Sequence, residues 1–140
     1  MLTMYPACIY KDNSGYSAVF PDLNYLATCG ETLEECINMA IDCLAGYAFF
    51  IEKEGETLPM SSKPEAIDAA QIAADLEVEY TEAFVNVISV DVDEYAKKHF
   101  EKAVKKTLTV PYWLNKLALE KNINFSQVLQ DALKNELGIM

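Results

Sequence analysis

Apolar and polar residues alternate in two short stretches near the amino terminus, and this pattern predicts a β-hairpin. Residues 5–10 and 16–20 are rich in aromatic and β-branched side chains, and the turn-forming sequence Lys-Asp-Asn-Ser-Gly separates them. Pro6 lies early in the first strand, where a proline suits an edge strand or a strand start because it donates no ladder hydrogen bond. A short third strand is expected near residues 25–28.

The next stretch has the spacing of a long amphipathic helix. Thr32 and Glu35 form a candidate capping box, in which the threonine accepts a backbone hydrogen bond and the glutamate reaches back to the helix start. Apolar residues then recur every three or four positions, at Leu33, Cys36, Ile37, Ala40, Ile41, Leu44, Ala48 and Ile51. The helix is expected to end near Lys53, before Gly55, and to cover one face of a sheet.

The middle of the chain is ambiguous except for one strong strand. Residues 56–82 contain prolines and many acidic side chains, and residues 66–76 could form a short helix for which the sequence shows no cap. Residues 84–92 alternate as a strand whose first half is apolar on both faces, which predicts a central position in the sheet. Residues 93–104 are charged and are interpreted as a linker.

The last segment changes to a strand followed by two helices. Residues 105–110 alternate and stop at Pro111, and residues 112–121 and 125–137 have helical spacing, with Asn124 as the N-cap of the second helix. A segment of roughly forty residues cannot build a core alone, and its strand has no partner within the segment. Two copies that pair this strand antiparallel would solve both problems.

Two paired strands make a ribbon that fits the major groove of DNA. Leu108 and Val110 would face the helices, which leaves Lys105, Thr107 and Thr109 facing outward. There lysine can donate to guanine, and threonine can contact a base edge. The first turn of the second helix has free backbone N–H groups that suit a DNA phosphate. The predicted DNA contacts are Lys105, Lys106, Thr107, Thr109, Asn124, Phe125 and Ser126.

The formal charge is distributed unevenly along the chain. The whole sequence carries −11, but residues 1–96 hold 3 lysines and 18 acidic residues, for −15, whereas residues 97–140 hold 8 lysines and 4 acidic residues, for +4. An acidic body and a basic tail suggest two different partners, because phosphates attract the tail and repel the body. No uncharged stretch is long enough for a membrane helix, so a membrane partner is not expected.

Two sequence stretches in the tail carry a family resemblance. They are Lys-Lys-Thr-Leu-Thr-Val-Pro at residues 105–111 and Asn-Ile-Asn-Phe-Ser-Gln-Val-Leu-Gln-Asp-Ala-Leu at residues 122–133. Together they resemble the ribbon-helix-helix repressors, which implies a homodimer that binds DNA through its ribbon. Ribbons of that family often present arginine, and this chain contains none. The alternative is a strand and a helical hairpin that serve dimerisation alone.

Three further motifs lie in the body. They are Phe-Pro-Asp-Leu at residues 20–23, Thr-Cys-Gly-Glu-Thr-Leu-Glu-Glu-Cys at residues 28–36 and Glu-Gly-Glu-Thr-Leu-Pro at residues 54–59. In this order and spacing they resemble the HicB antitoxin family. The resemblance implies an α+β fold, in which a partial RNase H-like body over residues 1–92 (an antiparallel sheet with a packed helix) precedes a ribbon-helix-helix module over residues 105–140.

The same resemblance implies a partner and a function. The partner is a HicA-type toxin, a small basic ribonuclease that cleaves messenger RNA. The antitoxin would block this toxin and repress the shared operon by binding operator DNA. An acidic body suits a basic RNA-binding partner, because opposite charges speed association. Glu34, Glu35 and Asp42 on the long helix are candidate toxin contacts, and an ordinary solvated helix face is the alternative interpretation.

Two other functions stay open at the level of sequence: an RNase H-like nuclease tethered to DNA and a repressor whose body senses a small ligand. The nuclease requires several carboxylates around divalent metal ions. Residues 5–10 of the first strand contain no carboxylate, and the nearest candidates elsewhere are Asp22, Glu35 and Asp91. We therefore expect a protein that is not an enzyme and that needs no metal or other cofactor.

Cysteine and histidine usage favours a structural role for both residue types. Cys8, Cys29, Cys36 and Cys43 form no CxxC pair, which is typical of a reduced, cytoplasmic protein. His99 is the only histidine and lies in the charged segment, where simple exposure is expected.

Overall fold

The alternating segments of the amino-terminal region form one antiparallel sheet in the computed structural model, which describes residues 1–100 and 103–139. The strands are β1 (Leu2–Asp12), β2 (Gly15–Phe20), β3 (Leu26–Gly30) and β4 (Glu82–Asp91). They lie in the order β3-β2-β1-β4, and each neighbouring pair is antiparallel. The predicted hairpin and the predicted third strand are confirmed.

β4 is an edge strand, so its predicted central position is wrong. Within the described residues it pairs with β1 alone, from Leu2 opposite Asp91 to Lys11 opposite Glu82. Its two apolar faces arise because helices lie above and below the sheet. Apolar residues on both faces of a strand report on these layers, and they carry no information on whether the strand has a neighbour on each side.

Pro6 lies inside β1, where its missing N–H is tolerated because β2 is short. β2 pairs with β1 from Cys8 to Asp12. Pro6 is therefore beyond the β1–β2 ladder, and it has a partner on one side only, Val87 of β4. The prediction of an edge setting is correct for one side of this strand.

The predicted long helix is α1 (Leu33–Lys53). The Thr32 hydroxyl oxygen accepts a hydrogen bond from the Glu35 N–H at 3.1 Å, as expected of an N-cap. The Glu35 carboxylate accepts from the Glu31 N–H at 3.3 Å, one residue earlier than a capping box predicts. The apolar face of α1 covers one side of the sheet and buries Cys36, Ala40, Leu44, Ala45 and Ala48.

A second helix, α2 (Ala69–Leu76), contributes to a smaller apolar cluster on the opposite face of the sheet. Its N-cap is Asp68, whose carboxylate accepts a hydrogen bond from the Gln71 N–H at 3.1 Å. The cluster consists of buried Ala73 together with Cys8, Tyr10 and Val19. The sheet thus lies between two helical layers, which is a common way to bury both of its faces.

The segment between α1 and α2 is fastened to the body by hydrogen bonds. The Tyr5 hydroxyl donates to the Pro59 carbonyl. Ser62 donates its backbone N–H and its hydroxyl to the Asp22 carboxylate, each at 2.7 Å. These contacts position residues whose conformation is not evident from their sequence.

The strand β4 leads directly into a third helix, α3 (Val92–His99). Asp91 caps this helix by accepting a hydrogen bond from the Glu94 N–H at 3.2 Å. The Tyr95 hydroxyl donates to the Asp42 carboxylate of α1 at 2.8 Å, so α3 packs against α1 as part of the body.

The boundary between body and tail lies later than the sequence predicts. The predicted linker over residues 93–104 begins too early, because α3 occupies that range up to His99. Glu101 and Lys102 of the same range lie outside the described residues. The chain divides into two compact units after Lys102.

The second unit contains two helices, α4 (Tyr112–Glu120) and α5 (Phe125–Leu137). The Asn124 side chain caps α5 by accepting from the Gln127 N–H at 3.1 Å, and Gly138 ends it with a φ of 71°. Residues 103–111 form no helix or strand within the single chain, so strand pairing with a second copy stays a prediction. None of the described helices has the length and apolar character needed to cross a bilayer.

Candidate functional site

The amino-terminal end of α1 carries exposed carboxylates. Glu34 and Glu35 lie in its first turn, where the helix dipole favours negative charge. Together with Thr32, Asn38 and Met39 they line a shallow depression of about 270 Å³. The Met39 side chain is 44% exposed. The depression therefore offers carboxylates for a cationic group and one apolar side chain for packing.

Asp42 lies two turns further along α1, and its carboxylate is already engaged. It accepts the hydrogen bond from the Tyr95 hydroxyl at 2.8 Å. The pKa of Tyr95 is raised, mainly because the phenol is partly buried and further because it donates this hydrogen bond to a carboxylate. Asp42 thus joins α1 to α3, whereas Glu34 makes no hydrogen bond through its side chain within the described parts of the chain.

A second depression adjoins the first, and Glu35 lines both. It measures about 260 Å³ and lies where the β1–β2 turn approaches the start of α1. Asp12 and Glu31 also line it. Ser14 donates its N–H and its hydroxyl to Asp12, each at 2.7 Å, and these bonds lower the pKa of the Asp12 carboxyl. The four carboxylates Asp12, Glu31, Glu34 and Glu35 are called the acidic surface below.

The acidic surface is not neutralised by neighbouring cations. Across residues 1–100 and 103–139, ion pairs join only the amino terminus to Asp91 and Lys97 to Glu94. Lys11, the nearest lysine in sequence, lies over the ring of Tyr16 at 5.9 Å from its centroid. A carboxylate cluster of this kind attracts a cationic partner, and the attraction weakens as salt rises.

The three carboxylates considered for nuclease chemistry have separate structural roles. Asp22 accepts two hydrogen bonds from Ser62, Asp91 caps α3, and Glu35 accepts from Glu31. Among the residues that the structure describes, no group of three or more metal-ligating side chains is placed to hold a metal ion. The geometry therefore does not favour the metal-dependent nuclease over the other functions.

The cysteines and the histidine do not form a reactive cluster in the described structure. Burial raises the pKa of the Cys8, Cys36 and Cys43 thiols, which makes them weak nucleophiles. Cys29 is exposed on β3. His99 is exposed on α3, as predicted.

All seven residues predicted to contact DNA are exposed in the second unit. Lys105 and Thr107 do not line the apolar groove described next. Lys106 and Thr109 line that groove. The outward orientation of Lys105, Thr107 and Thr109 is predicted for a ribbon paired between two copies, and it stays a prediction because residues 103–111 form no strand in the single chain.

An apolar groove lies between residues 106–110 and the two helices of the tail. We call it the tail groove; its volume is about 980 Å³. Its apolar lining consists of Leu108, Val110, Tyr112, Leu114, Ala118, Ile123, Phe125, Val128, Leu129 and Ala132. Tyr112 is 81% exposed and Val128 is 55% exposed. Because a contiguous apolar surface of this size is unfavourable in water, the groove is typical of an interaction site.

The first turn of α5 has backbone donors available. The Gln127 N–H is taken by the Asn124 side chain, whereas the N–H groups of Phe125 and Ser126 make no hydrogen bond within the described residues. The side chains of Phe125 and Ser126 line the tail groove. For these two residues the backbone is thus the part suited to a phosphate.

Three residues around the acidic surface were not predicted from the sequence. Asp12 belongs to a turn pattern, and its approach to α1 depends on how the hairpin packs, which no local signal reports. Glu31 precedes the Thr32 cap, and that position could have indicated a place beside Glu35. Met39 is one more apolar residue in a helical sequence, and only its exposure distinguishes it.

Comparisons with known proteins give matches over much of the chain. The family model described as "HicB_like antitoxin of bacterial toxin-antitoxin system" matches residues 5–132. An uncharacterized protein of Haemophilus phage HP1 is 30% identical over 108 residues, which cover 77% of this chain and 73% of that protein. Antitoxin HicB 2 of Photorhabdus laumondii is 36% identical over 63 residues, which cover 44% of this chain and 45% of that protein.

A solved structure is similar to both units. It is a chain of a toxin-antitoxin complex from Streptococcus pneumoniae, 32% identical in sequence, with a TM-score of 0.63. The match covers 97% of this chain and 99% of that chain. The order of a mixed α+β body and a helical tail is therefore shared with that protein.

Proposed function

The chain belongs to the HicB-like antitoxin family of bacterial toxin–antitoxin systems, and from this premise we propose that it neutralises a HicA-type toxin, a small basic ribonuclease, by binding it. The observation that carries the proposal is the acidic surface, whose carboxylates have no ion-pair partner in the described residues. A ribonuclease must present cations to RNA phosphates, and carboxylates can occupy the same cations.

The mechanism is stoichiometric occlusion without catalysis. Glu34 and Glu35 contact the basic surface of the toxin directly, because they are exposed and lie at the start of α1. Asp42 contributes less, because the Tyr95 hydroxyl already occupies one of its oxygens. Once bound, the antitoxin covers the surface on which messenger RNA would lie.

Co-expression with the toxin encoded beside the antitoxin tests this mechanism. The wild-type antitoxin should relieve growth arrest and capture the toxin. Glu34→Lys with Glu35→Lys should lower toxin affinity at least about tenfold, because like charges then face each other. The control is Glu65→Lys with Glu79→Lys, which makes the same change in charge at exposed residues away from α1. Equal capture by both variants would remove the acidic surface from the interface.

We infer that the tail makes the antitoxin a dimeric repressor of its own operon. The supporting observation is the tail groove, which exposes apolar residues that one tail cannot cover. In a dimer, residues 105–110 of two copies pair as an antiparallel ribbon above the helices. Residues 103–140 hold 5 lysines and 3 acidic residues, for +2, and this charge then attracts DNA while the ribbon enters the major groove.

The tail groove offers a matched pair of variants for this proposal. Leu108→Asp places a carboxylate in the groove, and it should abolish both dimerisation through the tail and operator binding. Leu119→Asp changes a residue that is 58% exposed and does not line the groove, so it should leave both unchanged. Light scattering and a gel shift with the promoter fragment provide the two measurements. Operator binding by the Leu108→Asp variant would contradict the proposal.

A further inference from the structure

The outer face of α1 carries less charge than the exposed face of a helix usually does. Residues 36–51 of this helix contain a single charged side chain, Asp42, and the Tyr95 hydroxyl donates a hydrogen bond to it. A helix that packs one face on a sheet normally presents charged and polar residues to water on the other face. The outer face of α1 therefore has the composition of a surface that another molecule covers.

Helix α3 covers one flank of this outer face. The centroid of the Phe100 ring lies 5.6 Å from that of the Phe49 ring. The same Phe100 ring would lie 3.8 Å from a Cβ atom at Gly46. On the other flank, Met39 is 44% exposed and Phe50 is 59% exposed. The part of the face that α3 leaves open is thus apolar and in contact with water.

Four residues spaced four, three and four positions apart follow this open part of α1. They are Met39, Cys43, Gly46 and Phe50, and we call them the α1 stripe. Their spacing places them on one face of the helix. Since a helix rises about 1.5 Å per residue, the stripe is about 16 Å long. It continues the depression at the start of α1, because Met39 belongs to both.

Exposed carboxylates lie at both ends of the α1 stripe. Two belong to the acidic surface at the start of α1, and Glu52 and Glu54 lie at the end of the helix. Lys53 is the only lysine of α1, and its ammonium group lies 5.3 Å from the centroid of the Phe49 ring. An apolar centre surrounded by charged residues is the usual arrangement of a protein–protein interface.

We propose that the α1 stripe binds exposed apolar side chains of the toxin, so that the interface has an apolar centre between two groups of carboxylates. This inference rests on the proposed function and adds the kind of surface that the partner presents. That surface has apolar side chains in its middle and lysine or arginine at both ends. A nucleic acid does not fit, because carboxylates repel its phosphates and its backbone offers no apolar surface.

Charge also favours a basic partner over a second copy of this chain. A two-fold contact between two α1 helices places helix ends against helix ends, whether the helices run parallel or antiparallel. Because both ends of α1 carry exposed glutamates, carboxylates would then face carboxylates. The two bodies, each with −15 on residues 1–96, would add to this repulsion. A basic protein meets the same carboxylates with attraction.

The apolar and acidic parts of the interface should affect different rate constants. Complementary charge steers the encounter, so the carboxylates determine the association rate and its dependence on salt. Well-packed apolar contacts form after the encounter, and their loss raises the dissociation rate. A stripe that contacts the toxin can therefore be distinguished from a stripe that merely lies beside the contact.

The experiment measures both rate constants for the full chain on immobilised toxin, at low and at high salt. Met39→Ala with Phe50→Ala should raise the dissociation rate at least about tenfold, with the salt dependence of association unchanged. Met4→Ala with Phe84→Ala is the matched control. It removes the same two side-chain types at positions 51% and 40% exposed on β1 and β4, and both rates should stay those of the wild type.

A second variant keeps every apolar group of the stripe. Gly46→Gln adds a neutral side chain in the middle of the stripe, where it should exclude the toxin and weaken binding at least about tenfold. Glutamine favours a helix more than glycine does, so the body should remain folded. Thermal unfolding checks the fold of each variant, and Gly46→Gln decides the question if the loss of Met39 and Phe50 lowers the unfolding temperature.

The outcomes separate this inference from the proposed function. Wild-type dissociation rates in both stripe variants, together with weaker binding by Glu34→Lys with Glu35→Lys, would overturn the α1 stripe and leave the proposed function standing. A wild-type chain that captures no toxin would reject the proposed function itself. Light scattering should give Met39→Ala with Phe50→Ala the molar mass of the wild type. A lower mass would mean that a second copy covers the stripe, and it would overturn the inference.

Discussion

At Gly30 the backbone of β3 lies so close to the backbone of α1 that a side chain would not fit between them. A Cβ atom at this position would lie 2.5 Å from the Cys36 nitrogen and 2.9 Å from its Cα, so the backbone of α1 would have to move. Gly46 is the opposite case, because a Cβ there would meet only the Phe100 ring, at 3.8 Å.

The two glycines give a prediction about stability. Gly30→Ala should lower the free energy of unfolding by about 2 kcal/mol or more, because overpacking against backbone cannot relax easily. Gly46→Ala should leave it unchanged or raise it by up to about 1 kcal/mol, since alanine favours a helix more than glycine does. Urea denaturation of the full chain measures both. Equal stability of the two variants would mean that β3 and α1 are not in close contact.

The contribution of each lysine of the proposed ribbon to operator binding should be measurable from the salt dependence of the affinity. Each lysine that neutralises a phosphate contributes about 0.9 to the slope of log affinity against log salt. Lys105→Ala or Lys106→Ala should therefore lower the slope by about that amount, whereas Lys63→Ala in the body should not. A slope that is unchanged in both ribbon variants would exclude these lysines from the DNA interface.

At the scale of elements, helix caps and apolar spacing predicted those features of the fold that depend on residues close together in the sequence. The Thr32 cap and the apolar spacing of α1 gave its bounds, because both depend on residues within a few turns. The same signals missed the cap of α2, since Asp68 follows a segment whose proline and acidic residues obscure the helix start. The interactions of that segment, such as Ser62 with Asp22, join residues far apart in sequence.

The cap of α2 allows a quantitative test of this element. Asp68→Ala removes the acceptor for the Gln71 N–H, and it should lower the free energy of unfolding by about 1 kcal/mol. Glu79→Ala, at an exposed position after the helix, is the control and should have little effect. Denaturant midpoints provide the comparison. An unchanged midpoint in the Asp68 variant would show that α2 contributes little to the stability of the body.

The position of β4 shows what a strand pattern leaves undetermined. Ile88 and Val90 belong to the core beneath α1, and Val85 packs against the cluster that includes α2. This arrangement explains the apolar residues on both faces without a second neighbouring strand. The acidic surface was only partly predictable for a similar reason, because Asp12 joins Glu35 through packing of the hairpin and not through helical spacing.

At the scale of the whole molecule, the change of charge near residue 96 lies close to the division between the two units after Lys102. Each unit has its own exposed candidate surface, with carboxylates in one and an apolar groove beside lysines in the other. Charge thus separates the two proposed activities, because a phosphate backbone is attracted by one unit and repelled by the other.

This separation predicts that the two activities can be lost independently. Thr107→Ala with Thr109→Ala should abolish specific operator binding, since contacts to base edges provide about 1–3 kcal/mol each, while the toxin is still neutralised. Glu34→Lys with Glu35→Lys should show the reverse, with toxin binding lost and operator binding retained. Gel shifts with the promoter fragment and relief of growth arrest by co-expression measure the two activities in each variant. Unchanged operator affinity in the threonine variant would refute the ribbon assignment, and loss of both activities in either variant would show that the two units do not act separately.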